Sequence, residues 1–219
     1  MAQRRVQWGA ALLALGFVVA SGSRTPADNV TIEAPTIHAA DGGMSHGLLY
    51  WDPTKRPKTV VVSMHPSSDT QRHFVLRPAA ERGYAGFGLA GRYTGQDAAV
   101  HEPVLLDLAA AIKWLKEERG FTHVLLVGHS GGGSLMAYYD NIKKVTVPTL
   151  VLGGTADRGI FPSEQKATFQ MSGAKDKTIV WIEGGDHGFN PSGPKAGDGK
   201  QQERAAVAVL AWMDTRFPK

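Results

Sequence analysis

"VLLVGHSGGGSLMAYY", residues 124–139, is an apolar run of strand length that breaks into glycines around one serine, Ser130, and then resumes at helical spacing. A chain that turns sharply from a buried strand into a helix needs positions without a Cβ where the backbone closes on itself, and the flanking glycines supply them. Gly128-His129-Ser130-Gly131-Gly132 fits the pattern G-x-S-x-G and stands where that pattern belongs, after a strand and before a helix. Such a turn lifts the serine hydroxyl above the sheet edge. It also aims the Gly131 N–H and the positive end of the helix dipole at the place where an oxyanion would form.

Working outward, residues 47–51, 59–64, 84–90, 123–128, 149–154 and 178–184 are short apolar or β-branched runs that read as strands. Helical spacing is expected over residues 70–81, 102–118, 132–142, 163–171 and 201–217, most clearly in the second, where Leu105, Leu108, Ala109, Ile112 and Leu115 recur on one face. Alternating strands and helices imply βαβ units, hence an α/β domain with a mostly parallel sheet and helices on both faces. Residues 25–47 are rich in turn formers, with a short β-like piece at 30–32, and read as a linker and an edge.

A chain of 219 residues supports one well-buried core, and 42% apolar with 20% charged residues is the composition of an ordinary globular protein. The net charge of +4 includes Arg4, Arg5 and Arg24 near the N-terminus, and no Lys/Arg block is long enough for a nucleic-acid footprint. With no cysteine, disulfides, thiolate metal sites and a cysteine nucleophile are excluded. Arg4 and Arg5, the uncharged stretch from Trp8 to Ala20 and the small residues at 20–23 have the layout of a cleaved export leader. Those 13 apolar residues fall short of the roughly 20 that span a bilayer, so no stable membrane span is expected in the mature form. The expected organisation is a leader over 1–23, an edge segment over 24–46 and a catalytic domain over 47–219. Export to the periplasm or the medium follows from a cleaved leader. A retained N-terminal helix, with a cytoplasmic protein, is the alternative.

A serine hydroxyl is a weak nucleophile until a base takes its proton, and behind such an elbow the acid and then the histidine follow in chain order. Of eight histidines, His187 alone lies downstream of Ser130. Asp157, just past the strand at 149–154, is the favoured acid because it lies at a strand's carboxyl end, where sites of open α/β sheets gather. Asp186 is the rival, although a side chain adjacent to the base usually points away from it. Asp140 and Asp176 read as solvated. A second oxyanion donor is expected after the strand at 59–64, where Pro66 has no N–H, so Ser67 is the first candidate and Ser68 the second, with Asp69 a cap for the next helix. Arg92 and Tyr93, after the strand at 84–90, are candidates for substrate contact. His65 and His73 lie too far apart in sequence for a metal motif, His129 reads as the variable residue of the elbow, and no cofactor is expected.

The stretches "VVVSMHPSSD", "VLLVGHSGGG", "PTLVLGGTAD" and "IEGGDHGF" together resemble the α/β-hydrolase superfamily, in the style of dienelactone-hydrolase-like bacterial carboxylesterases, from about residue 48 to the C-terminus. The resemblance implies that fold with little or no cap, Ser130 as nucleophile, Asp157 as acid and His187 as base. It further implies the backbone N–H groups of Gly131 and Ser67 as oxyanion hole and a small-molecule ester as substrate. Peptidase, thioesterase or acyltransferase chemistry, or a non-catalytic binding module, are the alternatives. One feature departs from the pattern. Asp157 follows Ser130 by only 27 residues, which leaves no room for the further strand that usually intervenes. Either a strand is lost or the acid sits one strand early; a sheet closed over the loss would bring Asp157 about 4.8 Å nearer and leave a shallow site.

Overall fold

The run TVVVS at residues 59–63, β-branched through 62, is buried at every position, as a strand covered by helices on both faces must be. In the computed structural model it forms β4 (Thr59–Ser63), which lies between β5 (Ala85–Ala90) and β6 (His123–Val127), both parallel to it. Beyond β5, β3 (Met44–Trp51) pairs antiparallel, and β1 (Thr31–Glu33) and β2 (Thr36–His38) both pair antiparallel with β3. The segment read as linker and edge therefore contributes two short strands. The structure describes residues 29–97, 99–140 and 147–219, without the side chains of residues 134 and 137–140. The expected leader at 1–23 lies outside them.

Side-chain alternation along β4 divides the apolar interior into two layers. Val60 and Val62 face α2 (His101–Glu117) and α3 (Gly131–Asp140), packing with Leu108, Ala111, Leu115 and Leu135. Val61 faces α1 (Leu76–Glu81) and α5 (Gln201–Asp214), packing with Leu76, Ala79, Leu210 and Met213. Each of the Val, Leu and Met side chains among them, withdrawn from water, contributes roughly 1.5–3 kcal/mol before chain entropy is charged against it.

The helix expected over 70–81 begins only at Leu76. Asp69 accepts the N–H of Gln71 at 2.8 Å, closing a turn instead of capping a helix. The buried Thr70 hydroxyl lies 2.8 Å from the carbonyl oxygens of both Ser63 and Leu89. These bonds pin residues 69–71 across the carboxyl ends of β4 and β5.

β7 (Thr149–Gly154) and β8 (Lys177–Ile182) are parallel partners of each other, yet β7 does not pair with β6. Among the described residues no strand lies between β6 and β7, and the sheet is not closed across that position. α5 carries the apolar layer across: Leu125 and Val127 of β6 and Leu150 and Leu152 of β7 pack on the same cluster as Val209, Leu210 and Met213. Next to β7 lies α4 (Pro162–Met171), which buries no residue fully.

Candidate active site

β6 ends at Val127 and α3 begins at Gly131, so three residues make the whole turn. Ser130 holds a φ of +55°, a left-handed conformation that side chains other than glycine rarely adopt. A Cβ at Gly128 would overlap the Gly132 carbonyl oxygen, and one at Gly132 would stand 2.5 Å from the carbonyl oxygen of Met64 on the neighbouring chain segment. The glycines are therefore required by close backbone approach, and they hold the serine in a conformation it would not choose. Bonds from Gly132 N–H to His129 O (2.8 Å) and from Gly133 N–H to Ser130 O (2.9 Å) tie off the turn.

The Ser130 hydroxyl is 2.8 Å from Nε2 of His187, whose Nδ1 lies 3.1 and 3.2 Å from the two carboxylate oxygens of Asp157. His187 stands in the loop after β8, and Asp157 in the loop after β7. Burial by itself would raise the Asp157 pKa, but the N–H groups of Ile160, Gly159 and His187 outweigh it and hold the carboxyl below its ordinary value. Oδ1 accepts from Gly159 and Ile160 at 2.8 and 3.0 Å, and Oδ2 accepts from Gln165 Nε2 at 2.9 Å. A Cβ at Gly159 would stand 2.8 Å from the His187 ring, so the glycine makes room for the imidazole. An ionised, ordered carboxylate on Nδ1 sets the tautomer in which Nε2 can accept the serine proton.

Asp186, the rival acid, instead accepts the N–H groups of Gly188 and Asn190 at 2.8 and 2.7 Å and so closes its own loop. Asp176 pairs with Arg216 at 2.9 Å. The side chain of Asp140 lies outside the described residues.

Ser130 opens on a cavity of about 300 Å³ lined by His65, Ser68, Asp69, Thr70, His73, His129 and His187. A larger hollow of about 430 Å³ between α4 and β8, walled by Phe169, Ile179 and Trp181, holds none of these groups. Among the described residues no three His, Asp or Glu side chains are arranged to hold a metal ion.

Two expectations meet a different arrangement. The amides of Ser67 and Ser68 both donate to Nδ1 of His65, at 3.1 and 3.0 Å, so the Ser67 N–H is directed at a ring and not at the cavity. Arg92 and Tyr93 are not brought to Ser130. The Arg92 guanidinium is shared between Asp107, which is completely buried, and Asp41, with 2.6 Å contacts to each. Tyr93 packs against the α2 layer of the core.

Three histidines without a role in the sequence reading line the cavity. His65 carries its proton on Nε2, because Nδ1 accepts two N–H groups, and burial assisted by His129 lowers its pKa. His73 stacks on Phe74 at 4.4 Å, and burial, with His129 adding, pushes its pKa down to about 4. Nε2 of His129 hydrogen-bonds the main-chain carbonyl of His187. No sequence motif marks His65 or His73, and His129 fills the unspecified position of G-x-S-x-G.

No protein-family model matches the chain, and no curated protein matches it in sequence. Solved structures do. The chain is similar to an α/β serine hydrolase without a lid from Xanthomonas campestris, at 16% identity and a TM-score of 0.66, over 86% of this chain and 96% of that one. It is similar to Est1E from Butyrivibrio proteoclasticus, at 15% identity and a TM-score of 0.66, over 83% and 98%. An esterase of Pyrococcus furiosus matches at 16% identity with a TM-score of 0.63, over 89% and 96%. The chain has an α/β-hydrolase fold.

Proposed function

We propose that this protein is a serine hydrolase that cleaves small carboxylic esters through an acyl-enzyme. The observation that carries the reading is the continuous chain from the Asp157 carboxylate through the His187 imidazole to a Ser130 hydroxyl held at φ +55°. Ser130 Oγ attacks the ester carbonyl as His187 Nε2 takes its proton, and Asp157 stabilises the imidazolium. The tetrahedral oxygen faces the start of α3, where the Gly131 N–H and the positive helix end favour it. His65 Nε2–H, which would lie 2.9 Å from a Cβ on Gly131, supplies the second donor in place of the Ser67 amide. His187 then protonates the departing alcohol, and water, deprotonated in turn by His187, releases the acid. A cavity of about 300 Å³, at the small end of the range for ligand sites, favours short acyl groups.

The test is hydrolysis of p-nitrophenyl acetate and butyrate by the wild type and three variants. Ser130→Ala and His187→Ala are expected to fall by about 10⁶ in kcat, and Asp157→Asn by about 10⁴. A folded wild type no faster than Ser130→Ala would refute the reading. Turnover that rises with added alcohol or amine acceptors would assign acyl transfer in place of hydrolysis. Export is the companion proposal, with residues 1–23 as a cleaved leader: a protein recovered outside the cytoplasm with its full-length mass would overturn it.

A further inference from the structure

In a continuous sheet, ladder hydrogen bonds register the strand that carries the nucleophile against the strands that carry the acid and the base. Here the ladder stops at β6 and restarts at β7, so among the described residues no strand pairing connects Ser130 to Asp157 and His187. α5 joins the two parts through an apolar layer, whose dispersion contacts set distance better than orientation, and through hydrogen bonds of Asp214 with Arg82 and Tyr84 on one side and of Gln202 with the Gly188 carbonyl on the other, none of which starts from the nucleophile turn. Among the described residues, two hydrogen bonds run directly from the nucleophile turn to His187. One is Ser130 Oγ to His187 Nε2, which the reaction itself breaks and remakes. The other is His129 Nε2 to the carbonyl oxygen of His187.

A carbonyl only accepts, so His129 carries its proton on Nε2. The ring is wedged among aromatic neighbours, with centroids 5.3 Å from His187, 6.0 Å from Phe189 and 6.1 Å from His73. Phe189 itself lies edge-on to Phe74 at 5.9 Å and holds a φ of +54°, so the base loop is bent around this cluster. His129 adjoins Ser130 in sequence and grips the backbone of His187. A shift of the loop carrying the base is thereby resisted from the elbow itself.

We propose that His129 is a positioning residue that takes over the alignment an intact sheet would provide, holding the His187 loop so that Nε2 meets the Ser130 hydroxyl. It lines the cavity but bonds none of the reacting atoms, and its effect on turnover rests on the serine-hydrolase reading above. His129→Phe keeps the ring contacts and removes the N–H, whereas His129→Gln returns an N–H at similar reach. With the full-length protein and p-nitrophenyl acetate, His129→Phe is expected to lower kcat about 100-fold at nearly unchanged KM, the usual consequence of a misplacement near 1 Å, and His129→Gln to recover most of it. Deuterium exchange over residues 184–190 is expected to quicken in His129→Phe and to return toward wild type in His129→Gln.

If His129→Phe matches wild type in both readouts, or His129→Gln does no better than His129→Phe, the proposal is overturned. Should His129→Phe fail to fold, His129→Asn, polar but too short to reach the carbonyl, is measured against His129→Gln in its place. A wild type no faster than Ser130→Ala refutes the hydrolase reading alone, because the exchange measurement still decides whether His129 holds the loop.

Discussion

Replacing His73 with phenylalanine removes two ring nitrogens that are shielded from solvent and have no hydrogen-bond partner among the described residues, while keeping the flat ring that stacks on Phe74. Burial, reinforced by His129, holds the His73 pKa at about 4 against an ordinary 6.5. The remaining titratable neighbours around the cavity are His65, Asp69 and His187. Because the unfolded chain takes up the proton first, the stability that depends on neutral His73 is fully present above pH 6.5. It is lost as pH falls toward 4, below which both states are protonated and the difference stays constant. At 1.36 kcal/mol per pH unit the full effect is about 3 kcal/mol, and roughly 2 kcal/mol of it is lost between pH 7 and pH 5. Phenylalanine does not titrate. Urea unfolding at the two pH values should therefore show the stability of His73→Phe relative to wild type growing by about 2 kcal/mol on going to pH 5, or about 4–8 °C in Tm. A relative stability that is the same at both pH values within about 0.5 kcal/mol would refute the assignment of His73 as a buried neutral imidazole.

Ser130→Gly should be more stable than Ser130→Ala by about 1 kcal/mol, since only glycine takes φ +55° without strain; thermal unfolding of the two variants checks this, and equal melting temperatures would contradict it. Arg92→Met should cost about 3 kcal/mol by stranding the buried Asp107 carboxylate, and it should leave KM unchanged, whereas a substrate contact would show in KM with little loss of stability. In acid the Asp41 arm of that pair, its pKa lowered to about 2 chiefly by Arg92, contributes stability above pH 4 that is lost as pH falls through 2. In Arg92→Met that acid-dependent loss should shrink, as denaturant midpoints between pH 5 and pH 2 will report. Gly128→Ala should abolish activity together with the elbow, because its Cβ overlaps the Gly132 carbonyl oxygen; a variant that keeps wild-type turnover and melting temperature would show that the turn can relax.

Where the physics is local, the amino-acid order was sufficient. The β-branched run at 59–62 reads as a doubly covered strand, and the G-x-S-x-G turn identifies its own serine, because burial period and turn stereochemistry act between neighbours in the chain. Chain order then brought His187 and Asp157 into view as partners, and the folded geometry places them within hydrogen-bond reach of one another.

Other features were settled by the tertiary structure alone. Arg92 looked like a pocket residue from its place after β5, but its partners Asp41 and Asp107 stand 51 and 15 residues away, and they draw the guanidinium aside. The first turn of the expected helix at 70–81 was given up because the Thr70 hydroxyl reaches two carbonyls that the sheet presents together. The 27-residue spacing announced a missing strand, yet whether the sheet would close or stay open depended on how α5 packs across β6 and β7. His129 has no local signature, since its partner is a backbone carbonyl 58 residues on, and a bond of that range exists only once the whole chain has folded.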